Sequence, residues 1–361
     1  VHNASKGRYA AVLAAGIGVI LAAAYISLTN GSFDMTVMDI VRTLLRIDPQ
    51  PEHDLVILEF RLPRIVIAVL VGIGLGIAGA VIQGITRNGL ADPGILGINA
   101  GASAAMVIFL FFYQGQVKGT GWTAILTMPL FGLAGGLLAA LLIYLFAWKD
   151  GRLEPQRLLL TGIAIGSGLG ALTLFLTLKM NASDFEMAVV WNSGSIYNAN
   201  WKYIASILPW LVCLIPVIVS KSAILDVFKL DEDIVIGIGV SSEKEKAMLI
   251  LCSIGIVSAC VSVSGGIGFI GLMAPHIAKR LVGHFHRYMI PVCGLVGAAL
   301  VLVSDTIGKL LFAPAELPVG IVIAIIGVPY FIFLLSRKKA VESEKNTARG
   351  SRYSGEPAKG A

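Results

Sequence analysis

The sequence predicts an all-α integral membrane protein of ten transmembrane helices, and three observations carry that expectation. Apolar residues make up 56% of the 361 and charged residues 14%, with a mean hydropathy of +0.83, which leaves too few ionic groups to coat a water-facing surface of that size. Nine apolar stretches, almost free of charge, approach or exceed the roughly 20 residues that cross about 30 Å of hydrocarbon. The few charges collect at the ends of those stretches and call for a tenth. The same arithmetic excludes a disordered, collagen-like or disulfide-rich secreted chain. The formal charge of +6 is what cytoplasmic loops bring to a membrane protein, so no nucleic-acid partner is expected.

The nine stretches are Tyr9 to Leu28, Leu62 to Ile85, Ile95 to Tyr113, Trp122 to Trp148, Leu158 to Leu178, Tyr203 to Ser220, Ala247 to Gly265, Tyr288 to Gly308 and Leu317 to Ser336. No small-residue cleavage site follows the first, which reads as a retained helix and not as a signal peptide. If Lys6 and Arg8 hold the N-terminus in the cytoplasm, nine crossings would leave Arg337, Lys338 and Lys339 outside, against the positive-inside rule. The segment Ile267 to Val282, between Gly265-Gly266 and the basic residues Lys279-Arg280, supplies the missing crossing. Its uncharged part spans only about 18 Å as a helix, so it is expected to be short and buried among the others. With ten spans, Arg87, Lys149, Arg152, Arg157, Lys221, Lys229, Lys244 and Lys246 fall on the cytoplasmic side and both termini lie inside. Residues 1–336 then form a single transmembrane domain with a long loop at about 221–246, and the polar stretch 337–361 is a disordered cytoplasmic tail.

Glycines recur at four-residue spacing: Gly72 and Gly76, Gly97 and Gly101, Gly132 and Gly136, then Gly162, Gly166 and Gly170. Such spacing lets helix backbones approach closely in lipid, and it suits a tight bundle or a glycine-lined pathway equally. Trp122, Trp191, Trp201 and Tyr203 fall near span ends, where an aromatic belt is expected.

Several chemistries have no candidate residues. The span interiors hold no Asp, Glu, Lys or Arg apart from Asp305 and the basic end of the short eighth span, which counts against ion-coupled transport. No phosphate-binding loop is present, because Gly308-Lys309 is followed by Leu310. Cys213, Cys252, Cys260 and Cys293 stand singly in apolar spans, and His276, His284 and His286 lack ligand spacing, so neither a metal site nor a cofactor of this chain is expected. No catalytic nucleophile or base is suggested. Active transport would need energy from another polypeptide.

Four segments are more specific. Arg61-Leu-Pro-Arg64 sets two guanidinium groups at the outer mouth of the second span, as snorkelling anchors or as a docking site for carboxylates of an external partner. Arg87-Asn-Gly-Leu-Ala-Asp-Pro-Gly94 is a tight cytoplasmic reversal, with Asp92-Pro93 starting the next helix. The run Phe228 to Gly239 places an apolar stripe between acidic and basic groups, suiting a short amphipathic helix in a partner's groove or on the lipid interface. Ser264-Gly-Gly-Ile-Gly-Phe-Ile-Gly-Leu-Met-Ala-Pro-His276 suits a helix that breaks and turns back within the protein.

The runs RLPR, NGLADPGILGINAGAS, GGIGFIGLMAPHIAKRLVG and ELPVGIVIAIIG, in that order, resemble the FecCD family of ABC-importer permeases, which import iron-siderophores, haem and vitamin B12. The resemblance runs from about Arg61 to Leu335 and implies a type II ABC importer permease-like bundle in the bacterial cytoplasmic membrane. It implies that Arg61, Arg64 and Lys309 meet acidic residues on an extracytoplasmic substrate-binding lipoprotein, with lysine where arginine is common. It implies that Asp231, Glu232 and Gly239 couple to the ATPase, although Asp231 and Val235 replace the frequent Gly and Ala. It assigns a pathway and gate to Asn88, Asp92, Pro93, Pro155 and Gln156, with Gly89 in place of the usual Pro. The implied assembly is a dimer with a second copy or a paralogue, in contact with membrane lipid. Two separate ATPase subunits use ATP and Mg, and a ferric siderophore is the favoured cargo. Haem or vitamin B12 is a same-family alternative, and a secondary transporter or channel without ATP is an alternative of another class.

Overall fold

A computed structural model describes residues 6–31, 33, 35–47, 50–113, 122–149, 152–230, 232–313 and 315–332. The tail expected at 337–361 lies outside the described residues. The described residues up to 323 form one compact unit, and those from 324 belong to a second.

Helix α1 (Lys6–Thr29) is followed by the short α2 (Val37–Leu44) and by α3 (Pro51–Asp54). A π-helical turn over Leu55–Arg61 then leads into α4 (Leu62–Thr86), and Leu62 N donates to Ile57 O five residues back. Pro63 brings no amide to continue the ordinary ladder, so the chain widens there before α4 begins. A 3-10 turn at Pro93–Leu96 precedes α5 (Ile98–Tyr113), α6 (Trp122–Ala147) and α7 (Pro155–Thr177), with a two-residue antiparallel hairpin between the last two. After α8 (Ala182–Asn192) and α9 (Trp201–Ser220), two short helices follow, α10 (Ser222–Val227) and α11 (Glu232–Gly237). Then come α12 (Ser242–Ser264), α13 (Ile270–Val282), α14 (His286–Leu310) and α15 (Val319–Ile332).

Each of the ten expected stretches coincides with a helix. Seven helices are long and apolar enough to cross a membrane by length and composition, whereas α5, α13 and the described part of α15 are shorter. The 13 residues of α13 cover about 20 Å, in keeping with the short helix expected there. It starts abruptly after Gly265, whose φ is +65°, and Phe269, whose φ is +66°. A Cβ on Gly265 would lie 1.9 Å from Trp191 O, so the break requires glycine.

Helix α4 is the axis of the first unit and packs against α14, α13, α12 and α9. The Gly72 and Gly76 spacing serves packing, because a Cβ at either would lie 2.4 Å from Gly297 O or 2.3 Å from Cys293 O on α14. Around this axis α5 packs on α6 and α7, and α1 packs on α14. Trp122 and Trp201 are exposed near helix starts, but Trp191 and Tyr203 are buried, so those two belong to the core and not to a belt.

Candidate functional site

Helices α4 and α14 each connect two chemically distinct ends. At one end lie Arg64 and Lys309, and at the other Arg87 and His286.

At the first end, Arg64 Nε and Nη2 donate to Asp305 at 2.9 Å, and Nη1 donates to Glu316 Oε2 at 2.7 Å. The guanidinium also stands 5.9 Å from the centre of the Tyr197 ring. Asp305 is 2% exposed, and a bidentate arginine is what lets a carboxylate be buried that deeply. Arg61 is buried as well and donates to the carbonyls of Leu28 and Phe33, while Lys309 Nζ donates to Ser27 O at 3.1 Å. The three cations, expected to meet acidic residues of a binding protein, converge on one rim, where this chain supplies two carboxylates to Arg64 and backbone carbonyls to the other two. A cavity of about 370 Å³ opens beside them, lined by Arg64, Asp305, Glu316, Ser195 and Tyr197.

At the opposite end, the stretch expected as one amphipathic helix from Phe228 to Gly239 is divided. Helix α10 ends at Val227, Phe228 is buried, and α11 begins only at Glu232. Hydrogen bonds to the main chain explain the break. Arg87, at the left-handed C-terminus of α4, donates from Nε to Phe228 O at 2.7 Å and from Nη2 to Leu230 O, capturing carbonyls that a continuous helix would use. Asp226 on α10 accepts from His286 N at 3.1 Å, pairs with His286 Nδ1 at 2.7 Å, and is bridged by Lys229. Burial opposes ionisation of Asp226, but these hydrogen bonds outweigh it and hold its carboxyl below the ordinary value. Among the expected coupling residues, Asp231 lies outside the described residues. Glu232 opens α11, and Gly239 takes a φ of +82° in an open turn after it. Val235 is buried, which accounts for an apolar side chain where a small one was expected.

The reversal after α4 is built around Asp92. Its Oδ1 accepts from Gly94 N at 2.8 Å and its Oδ2 accepts from Phe269 N at 3.2 Å, so one carboxylate joins the turn to the start of α13. Burial pushes the Asp92 carboxyl above the ordinary range, partly offset by those two amides. Pro93 packs so closely that a Cβ on Gly271 would lie 2.6 Å from its Cδ. Asn88 Oδ1 accepts from Leu90 N at 3.0 Å and closes the turn, and Gly89 is exposed with open space around it. Pro155 and Gln156 lie at the first turn of α7 after the hairpin, with Gln156 exposed.

Sequence reasoning missed Glu316, Asp226 and His286 as partners, and it missed Asn99 and Asn192, whose side-chain oxygens are buried without a partner. The gap between Asp226 and His286 hid the first pair, and an uncharged amide gives no signal in hydropathy. Among the described residues, no group of three His, Cys, Asp or Glu side chains comes together to hold a metal ion.

The model of the FecCD transport family matches residues 19–337. The iron-uptake system permease protein FeuC of Bacillus subtilis (strain 168) is 54% identical over 327 residues, covering 91% of this chain and 97% of that protein. The iron(3+)-hydroxamate import system permease protein FhuG of the same organism is 46% identical, over 79% of this chain and 84% of that one. The hemin transport system permease protein HmuU of Yersinia pestis is 35% identical, over 79% and 84% respectively. A solved chain of a metal-chelate type ABC transporter in an inward-facing conformation superposes with a TM-score of 0.77 at 29% identity. The match covers 90% of this chain and 99% of that chain.

Proposed function

As this chain belongs to the FecCD transport family, we propose that it is the permease subunit of an ABC importer and carries a ferric siderophore. It moves cargo and catalyses no covalent chemistry. The single observation that carries this reading is the separation of the two charged ends by almost uncharged helices, each end tied into α4 and α14. Force applied to α10 and α11 has a path through Asp226–His286 and Arg87 into the two helices whose far ends form the Arg64 rim. A pathway without fixed charge suits a bulky chelate held by shape and amide contacts.

In this reading residues 1–336 are one membrane domain of ten crossings in the bacterial cytoplasmic membrane, with both termini in the cytoplasm. A second copy or a paralogue completes the dimer. An extracytoplasmic binding protein docks through its acidic residues on the rim of Arg61, Arg64 and Lys309. Two ATPase subunits, using ATP and Mg, press on the segment from Asp231 and Glu232 to Gly239. The turn at Asn88, Asp92 and Pro93 and the start of α7 at Pro155 and Gln156 form the inner gate.

The test is uptake into proteoliposomes holding the permease, its ATPase and its binding protein. Radiolabelled iron is offered as hydroxamate, catecholate and citrate chelates beside haem and vitamin B12. ATP-dependent accumulation of a ferric chelate is expected. Accumulation of haem or B12 alone would reassign the cargo, and uptake that persists without ATP but collapses with the proton gradient would overturn the importer reading.

A further inference from the structure

Helix α2 presents three different faces. At 100° per residue, Ile40 and Thr43 form one arc, and both are buried, with Ile40 in a small cluster with Met35 and Ile57. Arg42, Arg46 just past the helix and Asp39 form a second, charged arc. Val37, Met38, Val41, Leu44 and Leu45 form a third, about a third of the circumference, and all five are exposed. Thr36 fixes the start, because it caps the amide of Asp39 while the Asp39 carboxylate accepts from Thr36 N. One arc is thus buried by the protein and one is wetted, and the third is apolar and left uncovered by the described residues.

Its position says what covers the third arc. Helix α2 begins eight residues after α1 ends and touches it, and α1 itself exposes Leu21, Tyr25 and Ile26. Its buried face rests near Ile57 in the turn whose Leu58 carbonyl accepts from Trp201 Nε1 at 2.8 Å. Trp122 at the same end lies 5.5 Å from Lys202 Nζ. Two tryptophans with polar partners at one depth mark a membrane–water boundary. At that depth the apolar arc faces acyl chains, and the neighbouring arginines lie level with phosphates. Arg46 is engaged by Asp54 at 2.9 Å, which leaves Arg42 for the headgroups.

We propose that α2 is an interfacial helix lying in the leaflet beside α1, with its apolar arc in the acyl region and Arg42 against anionic phospholipid headgroups. This rests on the membrane-spanning fold alone and stands whatever the cargo is.

Single cysteines at Val41 and Leu44, with Arg42→Cys as the comparator, test it by spin labelling. The exposed Cys213 is replaced by serine, and the permease is placed in nanodiscs of phosphatidylglycerol and phosphatidylethanolamine. Labels at positions 41 and 44 are expected to be reached by oxygen and not by a water-soluble nickel chelate, with the ratio reversed at 42. Equal access of the chelate to all three would overturn the proposal, as would labels at 41 and 44 screened from both reagents, which indicates cover by protein. Chelate access that disappears only when the binding protein is added would assign the face to that partner instead. Two labelled positions on one arc keep the result readable if either variant folds poorly.

Discussion

Arg64 and Asp305 meet as a two-pronged pair, guanidinium to carboxylate at 2.9 Å on both prongs, and join α4 to α14 at a depth where Asp305 is 2% exposed. A lone charge at such a site is costly, and the cost appears when one partner is removed. Arg64→Leu, which strands the Asp305 carboxylate, is expected to lower stability by about 3–5 kcal/mol, seen as a reduced unfolding midpoint in detergent. Arg64→Leu combined with Asp305→Leu is expected to recover most of that loss. A double variant as unstable as the single one would mean that the pair does more than neutralise itself.

The Asp226–His286 contact joins α10 to the first residue of α14. Asp226→Asn should leave the ATPase bound but raise the ATP hydrolysed per transported chelate severalfold, measured in proteoliposomes. Unchanged stoichiometry would show that force travels by another route, with Arg87 the next candidate.

The same carboxylate makes stability depend on pH. Its folded-state value lies below its ordinary one, so its contribution is complete above the ordinary carboxylate range near pH 3.9 and is lost as pH falls through the folded value. Unfolding midpoints taken downward from pH 6 should decline more steeply in the parent than in Asp226→Asn. Parallel slopes would remove Asp226 from the acid response.

Asp92 serves two amides at once, Gly94 N and Phe269 N. Asparagine keeps one acceptor oxygen and loses the other, so Asp92→Asn should free one end of the link. The expected local loss is about 1–3 kcal/mol, visible as faster hydrogen exchange at the start of α13 without change elsewhere. Uniform faster exchange would indicate global destabilisation instead.

How much of this was legible in the sequence depends on the kind of interaction. Helices at all ten expected stretches could be read, because a span declares itself locally through some 20 apolar residues. Even α13 was legible, since Gly265-Gly266 and Lys279-Arg280 bound it on both sides. The partners of Arg64 were not, because Glu316 sits 252 positions away and nothing local ties it to an arginine on α4. The break after Phe228 was hidden for the same reason. Its cause is Arg87, donating across 141 positions, whereas hydropathy sees only a continuous amphipathic stripe.

Sequence alone left two roles for the glycine repeats, and substitution by alanine separates them. Gly76 faces Cys293 O on α14, where a Cβ would come within 2.3 Å of main chain that cannot swing aside, and Gly72 meets Gly297 in the same way. Either substitution must push α4 and α14 apart, at a cost of about 1–3 kcal/mol. Gly168 on α7 has nothing within 4 Å of its added Cβ, so Gly168→Ala should change stability by no more than about 0.5 kcal/mol. Unfolding midpoints of the three variants in one detergent make the comparison. If Gly76→Ala unfolds like the parent but transports poorly, Gly76 lines the route of the cargo. Lost stability that a smaller residue at position 293 does not restore would mark α14 as unable to yield, because the clash is with its backbone.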